Sequence, residues 1–279
     1  MERRSGKATF QPDIQGLFGA ILYPRPAQST GDIPGANPPK MKFIYLREMQ
    51  NYFNTPIGYV FAVTALFFNF LFFFTGFFHI PAFWEARVAS IRSYVDLLPL
   101  TFILMVPAVS MRIWAEEYKT GTIEILSTLP IRTESIVLGK FLAAWTFVSG
   151  LVLASLPLTI GIWWIGHLDW GSTLALYAGS LLMAAAYVSL GMLLSAFTRE
   201  QIVAFILIFF ISLLMYLANF YVISRHLSPT LASAASFLSL SGHLNSFARG
   251  VIDLGDTVYF LSFTALMLYA NVRVLRSRT

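Results

Sequence analysis

WAEEYKTGTIEILSTLPIRT, running from Trp114 to Thr133, is a polar island between two long apolar runs. It opens on paired carboxylates, Glu116 and Glu117, and breaks at Thr120 and Gly121. After Thr122 comes a short amphipathic piece in which Ile123, Leu126 and Leu129 recur at helical spacing and share a face, while Glu124, Ser127 and Thr128 point elsewhere. Pro130 stops this helix, because the residue before a proline, Leu129, is pushed out of the helical region. A surface helix held between two spanning segments suits handing force from a soluble partner to a membrane. The plainer alternative is a polar loop with one amphipathic turn.

The flanking runs set the class. Hydrophobic residues make up 57% of the chain and charged residues 12%, against about 25% charged in a soluble domain. The mean hydropathy is +0.68, and several runs reach the roughly 20 residues that a membrane-spanning helix needs. The expected fold is therefore an all-α polytopic membrane protein. With no cysteine there is neither a disulfide nor a thiolate metal site. The net charge of +5 is distributed as membrane topology dictates and is no signal for nucleic acid.

Upstream, residues 1–40 are rich in proline and glycine, lack the apolar core of a signal peptide, and read as a disordered cytoplasmic tail. Met41 is an alternative translation start, which would leave residues 41–279 as the membrane domain. Residues 41–55, MKFIYLREMQNYFNT, read as an amphipathic helix lying on the membrane. Phe43, Leu46, Met49 and Phe53 form its apolar stripe, and Lys42, Glu48 and Asn51 are its polar residues. Tyr45 and Tyr52 suit the headgroup region.

Six spans are expected: Ile57–Phe78, Asp96–Ile113, Ser135–Gly166 (tilted or broken at Pro157), Ser172–Phe197, Ile202–Val222 and Thr257–Leu275. In the fourth, Ser180/Ala184, Ala185/Ser189 and Gly191/Ser195 place small residues four apart, which permits close helix packing. All Lys and Arg except Arg87, Arg92, Arg225 and Arg249 fall in segments on the side of the N-terminus. The positive-inside rule then puts both termini and the Trp114–Thr133 element in the cytoplasm. Between spans five and six, the stretch from Arg225 to Asp256 is too polar for a span and too apolar for a free loop. Leu231, Ala235, Leu238 and Leu240 suggest short helices dipping into the outer leaflet, with a second helix near His243 to Val251.

No Asp, Glu, Lys, Arg or His is expected deep in a span, which disfavours a proton-coupled transporter and a voltage sensor. Asn69, Asn219, Ser149, Ser180, Ser212 and Tyr187 are read as helix-packing polar residues. His79, His167, His226 and His243 sit near the outer edge without metal-ligand spacing. Neither Gly6-Lys7 nor Gly139-Lys140 has the context of a phosphate-binding loop. The chain is not read as an enzyme, and any energy comes from another subunit.

The order of elements, with SMRIWAEEYKTGTIEILSTLPIRTESIVLGKFLA and SGHLNSFARGVIDLGDTVYFLS as its most specific stretches, resembles the membrane subunit of an ABC transporter of the type-2 exporter permease family. It is most similar to the gliding-motility branch, over about residues 41–275. The resemblance implies six spans, an N-terminal elbow helix and a cytoplasmic coupling helix between spans two and three. Glu116, Glu117, Gly121, Thr122, Ile123, Glu124, Leu126, Leu129 and Pro130 would couple to the ATPase. Short external helices between spans five and six would carry Leu238, His243, Phe247, Arg249 and Gly250. It also implies two permease copies, identical or not, and two ABC ATPase subunits that bind ATP and Mg, with no cofactor in this chain. The location implied is a bacterial inner membrane, and the mechanism alternating access, with spans two and five reshaping a central path. A lining without charge fits a lipid, glycolipid or other amphiphile better than an ion. Two alternatives stand beside this: a non-transporting membrane subunit that moves an external partner, and a multi-span membrane enzyme.

Overall fold

The computed structural model describes residues 40–77, 80–123, 132–218 and 229–278. The tail and parts of two candidate elements, including Glu124, Leu126, Leu129 and Pro130, lie outside the described residues. Among the described residues the fold is helical, with one isolated β-bridge between Phe77 and Ile80.

Eleven helices are described in chain order. They are α1 (Lys40–Asn54), α2 (Pro56–Thr75), α3 (Phe83–Ala86), α4 (Arg92–Thr120), α5 (Thr133–Leu153), α6 (Leu156–Ile165), α7 (Trp170–Ser195), α8 (Gln201–Leu217), α9 (Pro229–Leu238), α10 (Leu244–Ala248) and α11 (Leu254–Arg276). Five stretches are long and apolar enough to cross a membrane: 58–75, 92–120, 133–165, 170–195 and 254–276. The expected fifth span is the shorter apolar helix α8, and the rest of that stretch, 219–222, lies outside the described residues.

α7 is the hub. It packs against α4, α5, α8, α10 and α11, and Met183, Ala184, Ala186, Tyr187 and Val188 on it are wholly buried. Its small residues let the neighbours come close. A Cβ on Gly191 would stand 2.7 Å from the Ser110 hydroxyl of α4, and one on Gly179 would stand 2.6 Å from the Phe247 ring of α10. The Ser195 hydroxyl accepts from the Trp114 and Ala115 amides at 3.3 Å and donates to the Met111 carbonyl at 3.2 Å, stitching α7 to the inner end of α4.

α4 is longer than expected. It is continuous through Pro99 and Pro107 and runs past Ile113, the expected end of the span, to Thr120. Each proline lacks the N–H that the carbonyl four residues back would accept. The surrounding helices α2, α7 and α8 nevertheless hold the segment straight enough to remain one element. Asn69 of α2 ties in here, donating to the Thr101 hydroxyl at 2.7 Å, which supports the helix-packing reading of that residue.

The expected third span is split. α5 ends at Leu153, four residues before Pro157, where the pyrrolidine ring would meet the helical carbonyl. At the break the Ser155 hydroxyl donates to the Val152 carbonyl at 2.7 Å and the Thr159 hydroxyl to the Ser155 carbonyl at 3.3 Å, and both hydroxyls also meet the Tyr177 hydroxyl of α7 at 2.7 Å.

Candidate functional site

One end of the bundle is assembled from α1, α4 and α5. α1 lies along α5, and the fit is close because a Cβ on Gly139 would stand 3.0 Å from Ile44. Ile44, Glu48 and Tyr52, spaced four apart, form the inward face; Tyr52 stacks on Phe147 of α5 at 5.2 Å between ring centroids. Phe43, Leu46 and Phe53 of the expected stripe face outward, as a helix on a membrane surface requires. Met49 is half-buried, and Glu48, expected on the polar side, points into the protein.

Glu48 meets Lys140. The ammonium lies 2.9 Å from Glu48 Oε1, 2.8 Å from Glu117 Oε1 and 3.3 Å from the Ile113 carbonyl, and 5.1 Å from the centre of the Trp114 ring. Lys140 is 3% exposed. One buried cation thus joins three helices. The expected third span carries a buried charge close to its start, and that charge holds Glu117. The reason is the extra length of α4: the helix carries Glu117 one turn beyond Ile113, on the same side, facing the second turn of α5. Lys119 pairs instead with Glu200 at 3.0 Å, on the surface.

α4 stops at Gly121, as the Thr120–Gly121 break implied. Gly121 has φ of 71°, the left-handed conformation that glycine adopts without strain. The Thr120 hydroxyl donates to the Glu116 carbonyl at 2.9 Å and contacts the Thr122 hydroxyl at 3.0 Å, closing the helix end. Ile123 is half-buried and packs on the protein's own core, so it turns away from solvent. Glu116 is exposed. It lines a polar cavity of about 340 Å³ beside the Lys140 cluster, together with Arg47, Asn51, Tyr52 and Arg112. Burial, and then the neighbouring Glu48 charge, raises the Tyr52 hydroxyl above the usual tyrosine range, so it stays a neutral donor.

At the same end of the bundle, Arg276 at the end of α11 pairs with Glu134 at the start of α5, and Arg278 donates to the Phe197 carbonyl at 3.2 Å. The last helix is thereby tied to the ends of two others.

At the opposite end, α9 and α10 fold against the start of α11. His243 places Nδ1 2.6 Å from the Asp256 carboxylate and Nε2 3.0 Å from the Phe237 carbonyl, and its ring stacks on Tyr259 at 3.8 Å. The Tyr259 hydroxyl donates to the Leu238 carbonyl at 3.1 Å. Phe247 is wholly buried against Gly179, whereas Leu238 and Arg249 are exposed. Gly250, with φ of 76°, lets the chain turn against Ser172. The expected second helix near His243 to Val251 is shorter than expected, five residues from Leu244 to Ala248.

Residues 48–278 match the family model described as ABC-2 family transporter protein. The chain belongs to the ABC-2 transporter family. ABC-2 proteins are the membrane subunits of transport systems and not their catalytic subunits, and they generally work with an ABC ATPase. No curated protein matches the sequence. The match begins at Glu48 and so takes in the Lys140 cluster, both carboxylates of the α4 end and the helices α9 and α10 of this ABC-2 protein.

The sequence reading missed Lys140 and Glu48 as partners. A signal was present: a lysine inside an otherwise apolar run, following a glycine that lets a neighbouring helix approach.

Proposed function

We propose that this ABC-2 chain is the six-span permease subunit of an ATP-driven exporter in a bacterial inner membrane, with both termini cytoplasmic. Two copies, identical or paired with a relative such as those of the gliding-motility branch, assemble with two ATPase subunits that bind ATP and Mg. The cargo is a lipid, glycolipid or other amphiphile. The Gly121–Pro130 segment is the coupling helix, with Leu126 and Leu129 as the side chains that enter a groove on the ATPase. Ile123 anchors the segment to the membrane core. The helices α9 and α10 close the outer end.

The observation that carries this reading is the unbroken course of α4 to Gly121, with Glu117 locked through Lys140 to both α1 and α5. A push on the segment after Gly121 meets one rigid lever held at its inner end by two other helices. In alternating access that lever moves with the ATPase, and α8, packed along α4, moves with it.

The test is Leu126→Asp. An apolar side chain filling an interface pocket is worth about 1.5–3 kcal/mol, so the variant's ATPase affinity falls by about 10- to 100-fold. Co-purification of the ATPase and substrate-stimulated hydrolysis drop together, while the spans still insert. A variant that assembles and transports like the parent removes the coupling role from this segment and transfers it to another inner segment, such as Thr198–Gln201. Robust ATP hydrolysis by the isolated chain overturns the reading altogether.

A further inference from the structure

Three spaces follow one another along the seam of α1, α2 and α4. The innermost is the polar cavity of about 340 Å³. It shares Tyr52, Thr55 and Arg112 with a narrow cleft of about 30 Å³ between α2 and α4. That cleft shares Phe61 with a groove of about 330 Å³ farther along the same two helices, whose walls are almost wholly apolar. Phe68 and Leu104 on the groove are exposed, so it opens sideways at the depth of the hydrocarbon. From Gly58 to Phe72, α2 rises about 21 Å at 1.5 Å per residue, which is longer than one leaflet of a hydrocarbon core about 30 Å thick.

The charges at the inner end are balanced but not all used. The cavity is lined by Arg47, Arg112 and Lys140 and by Glu48, Glu116 and Glu117. Lys140 is occupied by Glu48 and Glu117. Among the described residues, Arg47, Arg112 and Glu116 have no ion partner. The cavity-lining groups left without an ion partner are thus two guanidiniums and one carboxylate. A lone anion would leave Glu116 unpaired, and a lone cation the two guanidiniums. A zwitterion pairs with both.

We infer that this seam binds one zwitterionic phospholipid of the inner leaflet. Arg112 and Arg47 hold the phosphate, where a planar guanidinium can give two parallel hydrogen bonds. Glu116 receives the ammonium. The acyl chain leaves past Thr55 and Gly58 and lies in the groove against Phe61, Phe68 and Leu104. The outward apolar face of α1, Phe43, Leu46 and Phe53, sets the cavity at the level of lipid headgroups. The site lies within one chain and requires no transport, so it stands apart from the proposed export function.

The test uses the full-length chain, purified in detergent and stripped of lipid, without ATP or ATPase. Native mass spectrometry measures binding of phosphatidylethanolamine and phosphatidylglycerol of identical acyl chains. The parent is expected to prefer phosphatidylethanolamine by at least fivefold. Arg112→Gln weakens both lipids by tenfold or more. Glu116→Gln, at an exposed position that folding does not depend on, weakens phosphatidylethanolamine while tightening phosphatidylglycerol, because it leaves the cavity net positive. Equal binding of the two lipids by the parent, or an unchanged preference in Glu116→Gln, overturns the inference. Soluble glycerophosphoethanolamine is the second arm. Failure to displace the lipid at millimolar concentration supports a membrane source, and displacement at micromolar concentration overturns it in favour of a soluble phosphoamine.

Discussion

Replacing Lys140 by methionine keeps the length of the side chain and removes its charge. Glu48 and Glu117 then face each other across the vacated position. Each carboxylate oxygen lies within 2.9 Å of the ammonium, so the two are separated by less than about 6 Å. Two unit charges at that spacing repel by about 3 kcal/mol in an effective dielectric of about 20. Removing one member of a buried ion group costs about 3–5 kcal/mol in general. The lower end applies here, because the two carboxylates are 16% and 17% exposed and line a cavity from which water or a proton can reach them. The strain falls on the contact between α1 and α5, the one that can open without breaking the bundle. Three kcal/mol corresponds to about a hundredfold in that opening equilibrium. The chain contains no cysteine, so a single cysteine in place of Ile44, against Gly139, reports opening through its maleimide labelling rate in membranes. Lys140→Met is expected to raise the rate about a hundredfold, and Lys140→Met with Glu48→Gln to bring it back by at least tenfold. A single variant that labels at the parent rate, or a double variant that labels as fast as the single, refutes the electrostatic account of this junction.

Gly191→Val forces α7 away from Ser110, where even a Cβ would come within 2.7 Å. Overpacking of this kind costs about 1–3 kcal/mol, and the melting temperature in detergent is expected to fall and to recover in part when Ser110→Gly is added. For topology, a cysteine at Ser127 is expected to react only with reagents that enter the cytoplasm, and one at Ser236, exposed on α9, with impermeant external reagents. The reverse pattern inverts the orientation.

The long elements were legible because bilayer solvation leaves a coarse mark: a run of apolar residues about 20 long. The elbow helix was legible for the same reason at shorter range, and α1 begins and ends within a residue of the expected stretch. What composition could not mark was direction within the bundle. Glu48 and Lys42 are equally polar in sequence, but only Glu48 lies four residues from both Ile44 and Tyr52, the face that meets α5. The end of α4 was legible in the Thr120–Gly121 break, but the expected span stopped short at Ile113 because Glu116 and Glu117 look like the water boundary, whereas the helix keeps its hydrogen bonds as far as the glycine. The break in α5 was tied to Pro157 correctly, but it falls upstream, where the missing donor and the ring act. In the candidate site, Gly121 was legible as a helix terminator. The pairing of Glu117 was not, because its partner is 23 residues away across a connection that sequence spacing does not constrain.

The Lys140 cluster also bears on why an ion group stands where apolar residues would pack. Buried ion pairs often add no net stability over hydrophobic replacements of the same volume. α1, however, is apolar on two faces: Ile44 and Tyr52 inward, Phe43, Leu46 and Phe53 outward. Hydrophobic matching alone leaves the helix free to roll, since either face is satisfied by lipid or by α5. Burying Glu48 in any other orientation strands a carboxylate in hydrocarbon, and turning it to water takes from Lys140 one of its two carboxylate partners. The cluster therefore selects one roll of the elbow helix and one height of α4 against α5. A junction that must pass on a displacement needs a defined register more than it needs extra stability, and a charge that has only one acceptable position supplies it.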